Sequence, residues 1–185
     1  MNQSLFGLLL FIGLILPPVT FLMESIMIIH MHMQMPMLII SGFLMGCFFQ
    51  KKFPRFFEKW NENGIPGLLL FCIIMLYWMI PRTMDEALVV QSVEFFKFIS
   101  LPFLAGVPLR DSWMKLSSLQ RNVTIASFTL FFIGMGFLYI KSPVQLCNNY
   151  LVIDQIILGW GFLTMAIPMI VYLGYVFLID SSQYE

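Results

Sequence analysis

Apolar residues run along the chain in six stretches, each approaching or exceeding the ~20 residues that carry a helix across a bilayer. They are Leu5–Met23, Ile26–Phe49, Ile65–Ile80, Ala87–Leu109, Val123–Ile140 and Leu151–Ile179. Two polar segments, "QKKFPRFFEKWNENG" and "RDSWMKLSSLQRN", separate the second stretch from the third and the fourth from the fifth. The first stretch is interrupted by Pro17-Pro18, which removes backbone donors from a helix interior, and the third is short. The opening "MNQSLFGLLLFIGLILPPVT" has the apolar length of a signal peptide, but its first residues carry no Lys or Arg, so it reads as a span. The pattern predicts an all-α, polytopic transmembrane helix bundle of about six spans, forming a single domain over residues 1–185. Neither an internal repeat nor a low-complexity tract interrupts it.

Composition agrees. The chain is 59% hydrophobic and 11% charged, whereas soluble domains carry about 25% charged residues, so the lipid bilayer is its expected medium. A net charge of zero provides no basic surface for nucleic acid. Cys47, Cys72 and Cys147 form no CxxC pair, which leaves out thioredoxin-like, zinc-ribbon and c-type haem chemistry; Cys47 and Cys72 read as packing residues in apolar runs. No nucleophile–base pair or cofactor fingerprint suggests an enzyme, and no pair of matched, broken helices suggests a transporter.

Charge sets the expected orientation. Lys51, Lys52, Arg55 and Lys59 lie in one polar segment and Arg110, Lys115 and Arg121 in the other, against only Arg82 and Lys141 on the opposite side. Basic residues accumulate in cytoplasmic loops, so both segments and both termini are expected in the cytoplasm, in the cell (inner) membrane. The start of the second stretch then lies on the outer side.

That start contains "HMHMQMPM", His30–Met37, with both histidines of the chain. On a regular helix Met23, Met27, His30, Met33, Gln34 and Met37 fall within about 60° of His30, and His32 points about 200° away. The stripe admits two readings. Methionines fill irregular cores, with His30 as a polar link between helices. Thioether and imidazole groups also select soft Cu(I). Further polar groups lie at a similar expected depth: Gln91, Glu94 and Lys97 in the fourth stretch, Trp78 with Met79 at the end of the third, and Asp154 with Gln155 opening the sixth. Ionisable groups inside a span usually face a partner or cavity, and Glu94 and Lys97 at i, i+3 are expected to neutralise each other.

Four short motifs, in order, resemble those of the CtaG-type membrane-embedded cytochrome c oxidase assembly factors, from about Glu24 to Tyr172. "HMHMQMPMLIISG" is similar to a family His-Met-x-x-His helix, matching at His30, Met31 and Gly42. "WMIPRTMDEAL" matches at Trp78, Pro81, Asp85, Ala87 and Leu88. "EFFKF" with "VPL" matches at Glu94, Phe98, Pro108 and Leu109. "DQIILG" and "MAIP" resemble the last element, the second part displaced by three residues. Gln34, Met79 and Phe95 stand where the family has histidine. The resemblance implies a divergent, shortened member, lacking about one span. It implies an assembly or copper-delivery factor for a respiratory cytochrome c oxidase or a similar copper membrane enzyme. His30 and Met27, with Met33, Gln34 and Met79, would hold Cu(I), while Asp85, Glu94 and Asp154 would position helices or meet the partner. The alternative is a structural or accessory subunit of a membrane complex that carries no metal.

Overall fold

The computed structural model describes residues 2–178, so Ile179, the last residue of the sixth predicted stretch, lies outside the described residues. The described residues form helices and connections only. In chain order the helices are α1 (Asn2–Ile15), α2 (Pro17–Glu24), α3 (Met27–Lys52), α4 (Pro54–Trp60), α5 (Ile65–Trp78), α6 (Pro81–Val89), α7 (Gln91–Lys115), α8 (Ser118–Lys141) and α9 (Val152–Leu178). Four of them, α3, α7, α8 and α9, are each long and apolar enough to cross a membrane. Two bent pairs complete the set, α1 with α2 at 71° and α5 with α6 at 73°. Counting each bent pair as one span gives the six expected, and the protein is an all-α, multi-pass membrane protein.

Proline explains four of the helix starts. Pro17, Pro54, Pro66 and Pro81 sit in the first turns of α2, α4, α5 and α6, where a backbone N–H has no helical acceptor to lose. Several boundaries differ from the sequence reading, including the fourth span's end, at Lys115 rather than Leu109, and the fifth's start, at Ser118 rather than Val123. The fourth span begins at Gln91 rather than Ala87, because Val90 is extended and separates α7 from α6, which holds Ala87. The segment around Pro81–Glu86, read as a loop, is helical. The first basic segment contains α4, so it too is more than a loop.

The chain divides into two compact units. The first comprises residues 2–116 with Cys147–Tyr150, and the second Ser117–Leu146 with residues 151–178. In the first unit α3 and α7 approach almost backbone to backbone. A Cβ on Gly42 would lie 1.9 Å from the Pro102 carbonyl oxygen, and one on Gly106 would lie 2.2 Å from that of Ile39, so only glycine fits at either place. Small residues at such contacts are how membrane helices gain close packing without a hydrophobic drive. Both helices also contain a π-helical turn, at His30–Gln34 and Ser100–Gly106. The Met35 N–H donates to the His30 carbonyl, and that of Val107 to the Pro102 carbonyl. Each turn lies just before a proline, Pro36 or Pro108, whose ring would collide with the carbonyl four residues back in a regular helix. Widening the turn moves that carbonyl aside.

At the opposite end of these helices, a satisfied polar network fixes α4. Asn61, fully buried, donates to Asp111 at 2.7 Å and Ser112 at 3.0 Å and accepts from the Gly67 N–H at 2.9 Å. Asp111 also accepts from Gln50 at 2.9 Å and from Lys115 at 2.7 Å. The ends of α3, α4 and α7 and the start of α5 are thereby tied together. In the second unit, Ser117 and Gln120 form a reciprocal cap at the start of α8. Gln155 accepts from the Leu146 N–H at 2.8 Å and donates to the Tyr139 carbonyl at 3.1 Å, fastening α9 to α8 and its loop.

Candidate functional site

Within the first unit, four side chains from distant parts of the sequence close a ring. Lys97 on α7, with no exposed surface, makes an ion pair with Glu24 at the end of α2. Its Nζ also lies 3.4 Å from His30 Nε2. His30 Nδ1 lies 3.0 Å from Tyr150 Oη, and Tyr150 donates its hydroxyl proton to the Glu24 carbonyl at 2.7 Å. These contacts assign the protons. The tyrosine's one proton is spent on the Glu24 carbonyl, so its oxygen accepts from His30 Nδ1–H. A lysine ammonium can only donate, so His30 Nε2 accepts from Lys97. The imidazole is therefore neutral, with its lone pair aimed at a cation. The ring satisfies every member, which is what a buried polar network requires if it is not to be destabilising.

Asp85 holds this arrangement from outside. Its carboxylate accepts from the Asn148 N–H at 2.7 Å, the Asn149 N–H at 3.1 Å and the Asn149 side-chain amide at 3.0 Å. Asp85 thus clamps the segment that delivers Tyr150 to Glu24 and His30. Trp78, also fully buried, donates to Ser100 at 2.8 Å and stacks on Phe96, which joins the end of α5 to α7 beside Lys97. Of the four motifs in the sequence reading, residues of the first three (His30, Trp78, Asp85 and the Glu94–Phe98 segment) belong to this unit. The fourth belongs to the second unit, where Asp154 accepts from the Leu151 N–H at 3.2 Å as a helix cap and Gln155 ties α8 to α9.

Two geometric expectations change. The first is the ion pair: Lys97 pairs with Glu24, and Glu94 is half-buried outside that pair. Spacing along one helix suggested Glu94, but the bend between α1 and α2 brings a closer carboxylate from another element. The second is the methionine stripe. Met27, His30 and Gln34 are fully buried as expected, but Met33 is 47% exposed, while Met31 and Met35 are buried. The π turn is the cause, since it advances about 80° per residue instead of about 100°. Gln34 stays near the His30 face, and Met33 swings roughly 115° away from His30. His32 lies on the far side of the turn and is half-buried. Met79 is buried at the break between α5 and α6.

Gln34 stands out among these residues. It is fully buried and neither its Nε2 nor its Oε1 has a hydrogen-bond partner. Leaving such a group unpaired costs roughly 1–3 kcal/mol. The amide is thus a donor and an acceptor held ready about one helical turn below His30. Glu24 and Tyr150 are the site residues that sequence reasoning missed. Glu24 carried a signal, being a lone carboxylate between apolar stretches with a buried lysine elsewhere to neutralise. Tyr150, in a polar loop, carried none.

Among the described residues no group of three or more His, Cys, Asp or Glu is placed to hold a metal ion. Methionine sulfur, the softer donor, is supplied by Met27, Met31 and Met35 on the buried side of α3. No protein-family model, no curated protein and no solved structure gives a significant match to this chain.

Proposed function

We propose that the protein is a membrane-integral assembly factor for a respiratory cytochrome c oxidase or a similar copper membrane enzyme, working on the outer side of the cell membrane, with both termini cytoplasmic. The observation that carries the reading is that His30, then Trp78 with Asp85, then the Glu94–Phe98 segment, from three motifs that resemble those of the CtaG-type factors, all fall in the first unit. The same unit holds the buried His30, in contact with Lys97, and the unsatisfied Gln34 about one turn away. Copper would be cargo. Met27, Met31 and Met35 offer thioethers that suit Cu(I), and His30 offers an imidazole. The lone pair that a cuprous ion needs on His30 Nε2 is the one facing Lys97, 3.4 Å away. Capture at His30 therefore requires the ammonium, already in contact with Glu24, to swing off that nitrogen. Like charge within that distance opposes loading while the ring is closed.

The occupied ring nitrogens favour a second reading, an accessory subunit in which the ring only holds helices together. A Cu(I) competition titration of the purified protein, with oxidase copper content measured in cells lacking it, separates the two. The delivery reading expects retained Cu(I) that His30→Ala or Met27→Leu weakens, and an oxidase depleted of copper in its absence. Met33→Leu should be silent. Wild-type protein that retains no Cu(I), together with oxidase copper at normal levels in its absence, discards delivery. Retained Cu(I) indifferent to both substitutions removes His30 from that role.

A further inference from the structure

The basic end of the first unit carries a feature that the outer-side site does not use. An apolar groove of about 400 Å³ opens between α1, α3 and α7, lined by Leu5, Leu8, Phe11, Phe48, Phe49 and Phe103. A second hollow of about 190 Å³ shares Phe49 and Phe103 with it and is otherwise bounded by Phe53, Phe56, Phe57 and Val107. The two hollows, with Phe49 and Phe103 as common walls, make up an aromatic trough that ends at α4. The size of the larger part falls within the range of small-ligand sites, roughly 300–1,000 Å³.

Charge collects at that end. Lys51, Lys52 and Arg55 are all exposed there, and the Lys52 ammonium lies 6.0 Å from the ring of Phe48, a groove residue. Phe53 and Phe56, on either side of Arg55, are 51% and 59% exposed, and Phe56 stacks on Trp60. Exposed aromatics beside lysines and arginines mark a helix lying at the headgroup level of a bilayer. The segment is also fixed in place. Asn61, Asp111 and Lys115 fasten the end of α4 to α7, so the basic groups are presented at a set position relative to the trough.

We propose that this trough holds an acyl chain of one anionic glycerophospholipid, with its phosphate among Lys51, Lys52 and Arg55. The trough itself does not discriminate, because every lipid tail is equally apolar. Selection comes from the headgroup, where basic residues beside a span attract anionic lipid by roughly fivefold each. A zwitterionic lipid carries the same phosphate but cancels its charge with a cation that the cluster repels, so two or more such groups beside one headgroup separate an anionic lipid from it by at least tenfold. The aromatic walls confine the chain so that the headgroup stays in register with the basic cluster.

The test is native mass spectrometry of the full chain in detergent, with equimolar phosphatidylglycerol and phosphatidylcholine of identical acyl chains. The expected result is at least tenfold more bound phosphatidylglycerol. The combined substitution Lys51→Gln, Lys52→Gln and Arg55→Gln should reduce that binding at least tenfold and leave phosphatidylcholine unchanged. Leu8→Trp, which fills the groove from a part-exposed position, should lower retention of both lipids. Thermal unfolding monitors each variant; should the triple variant not fold, Lys52→Gln and Arg55→Gln singly should each cost roughly fivefold. Equal binding of the two lipids to the wild-type protein overturns the proposal. So does a preference that survives removal of the basic groups, and undiminished retention by Leu8→Trp rules out the groove as the site.

Discussion

Replacing Glu24 with glutamine removes the negative half of the ion pair and leaves Lys97 charged and fully buried. Unit charges about 4 Å apart attract by about 4 kcal/mol at an effective dielectric of about 20. Breaking a buried pair from one side costs about 3–5 kcal/mol, since the remaining charge keeps its desolvation penalty. The Glu24 side chain is 14% exposed, so water reaches one edge of the pair and the lower figure, about 3 kcal/mol, applies. His30 cannot compensate, because its Nε2 is already the weaker acceptor for Lys97, at 3.4 Å. Removing both charges with Glu24→Gln and Lys97→Gln deletes the penalty with the attraction, and the double variant should lie within about 1 kcal/mol of wild type. Glu94→Gln, outside the pair, should cost less than about 1 kcal/mol. Reversible unfolding in mixed detergent micelles, followed by tryptophan fluorescence, measures all three; Trp78 beside α7 is a local reporter. Equal losses from Glu24→Gln and Glu94→Gln would show that Lys97 is neutralised within its own helix. A double variant no milder than Glu24→Gln alone would refute the buried-charge account altogether.

Three further outcomes follow from the packing and the topology. Gly42→Ala should abolish folded yield, because its Cβ would sit 1.9 Å from the Pro102 oxygen; Gly13→Ala, with nothing within 4 Å, should be neutral or slightly stabilising when yields are compared. Asn61→Ala should lower stability by about 2–3 kcal/mol in the same unfolding assay, since it strands the Gly67 N–H and takes one donor from Asp111. The loop charges expect a cysteine at Arg82, whose side chain is 86% exposed, to label with an impermeant maleimide from outside, and a reporter fused after Ser182 to read cytoplasmic. Labelling of the cysteine from the inside only would reverse the orientation.

Composition and the spacing of apolar runs were enough to establish a multi-pass helical membrane protein, because burial in lipid demands long apolar helices whatever the tertiary arrangement. Pro17-Pro18 likewise marked a break that the fold realises as a 71° bend. The inward position of Met27, His30 and Gln34 was legible from helical periodicity. Met33 was not, because the π turn that rotates it outward follows from Pro36 and the packing around it, which a uniform period does not contain. The pairing of Lys97 lay further out of reach. A spacing of three residues made Glu94 the local candidate, but the choice between carboxylates depends on distance in space, and Glu24 is 73 residues away in the chain. Tyr150 is 120 residues from His30 and reaches it only because Asp85 clamps the segment before it. Periodicity fixes which face of a helix is apolar, since that is a property of neighbours along the chain. Which polar groups meet across helices depends on bends, close glycine contacts and loop clamps, and only the tertiary structure decides those.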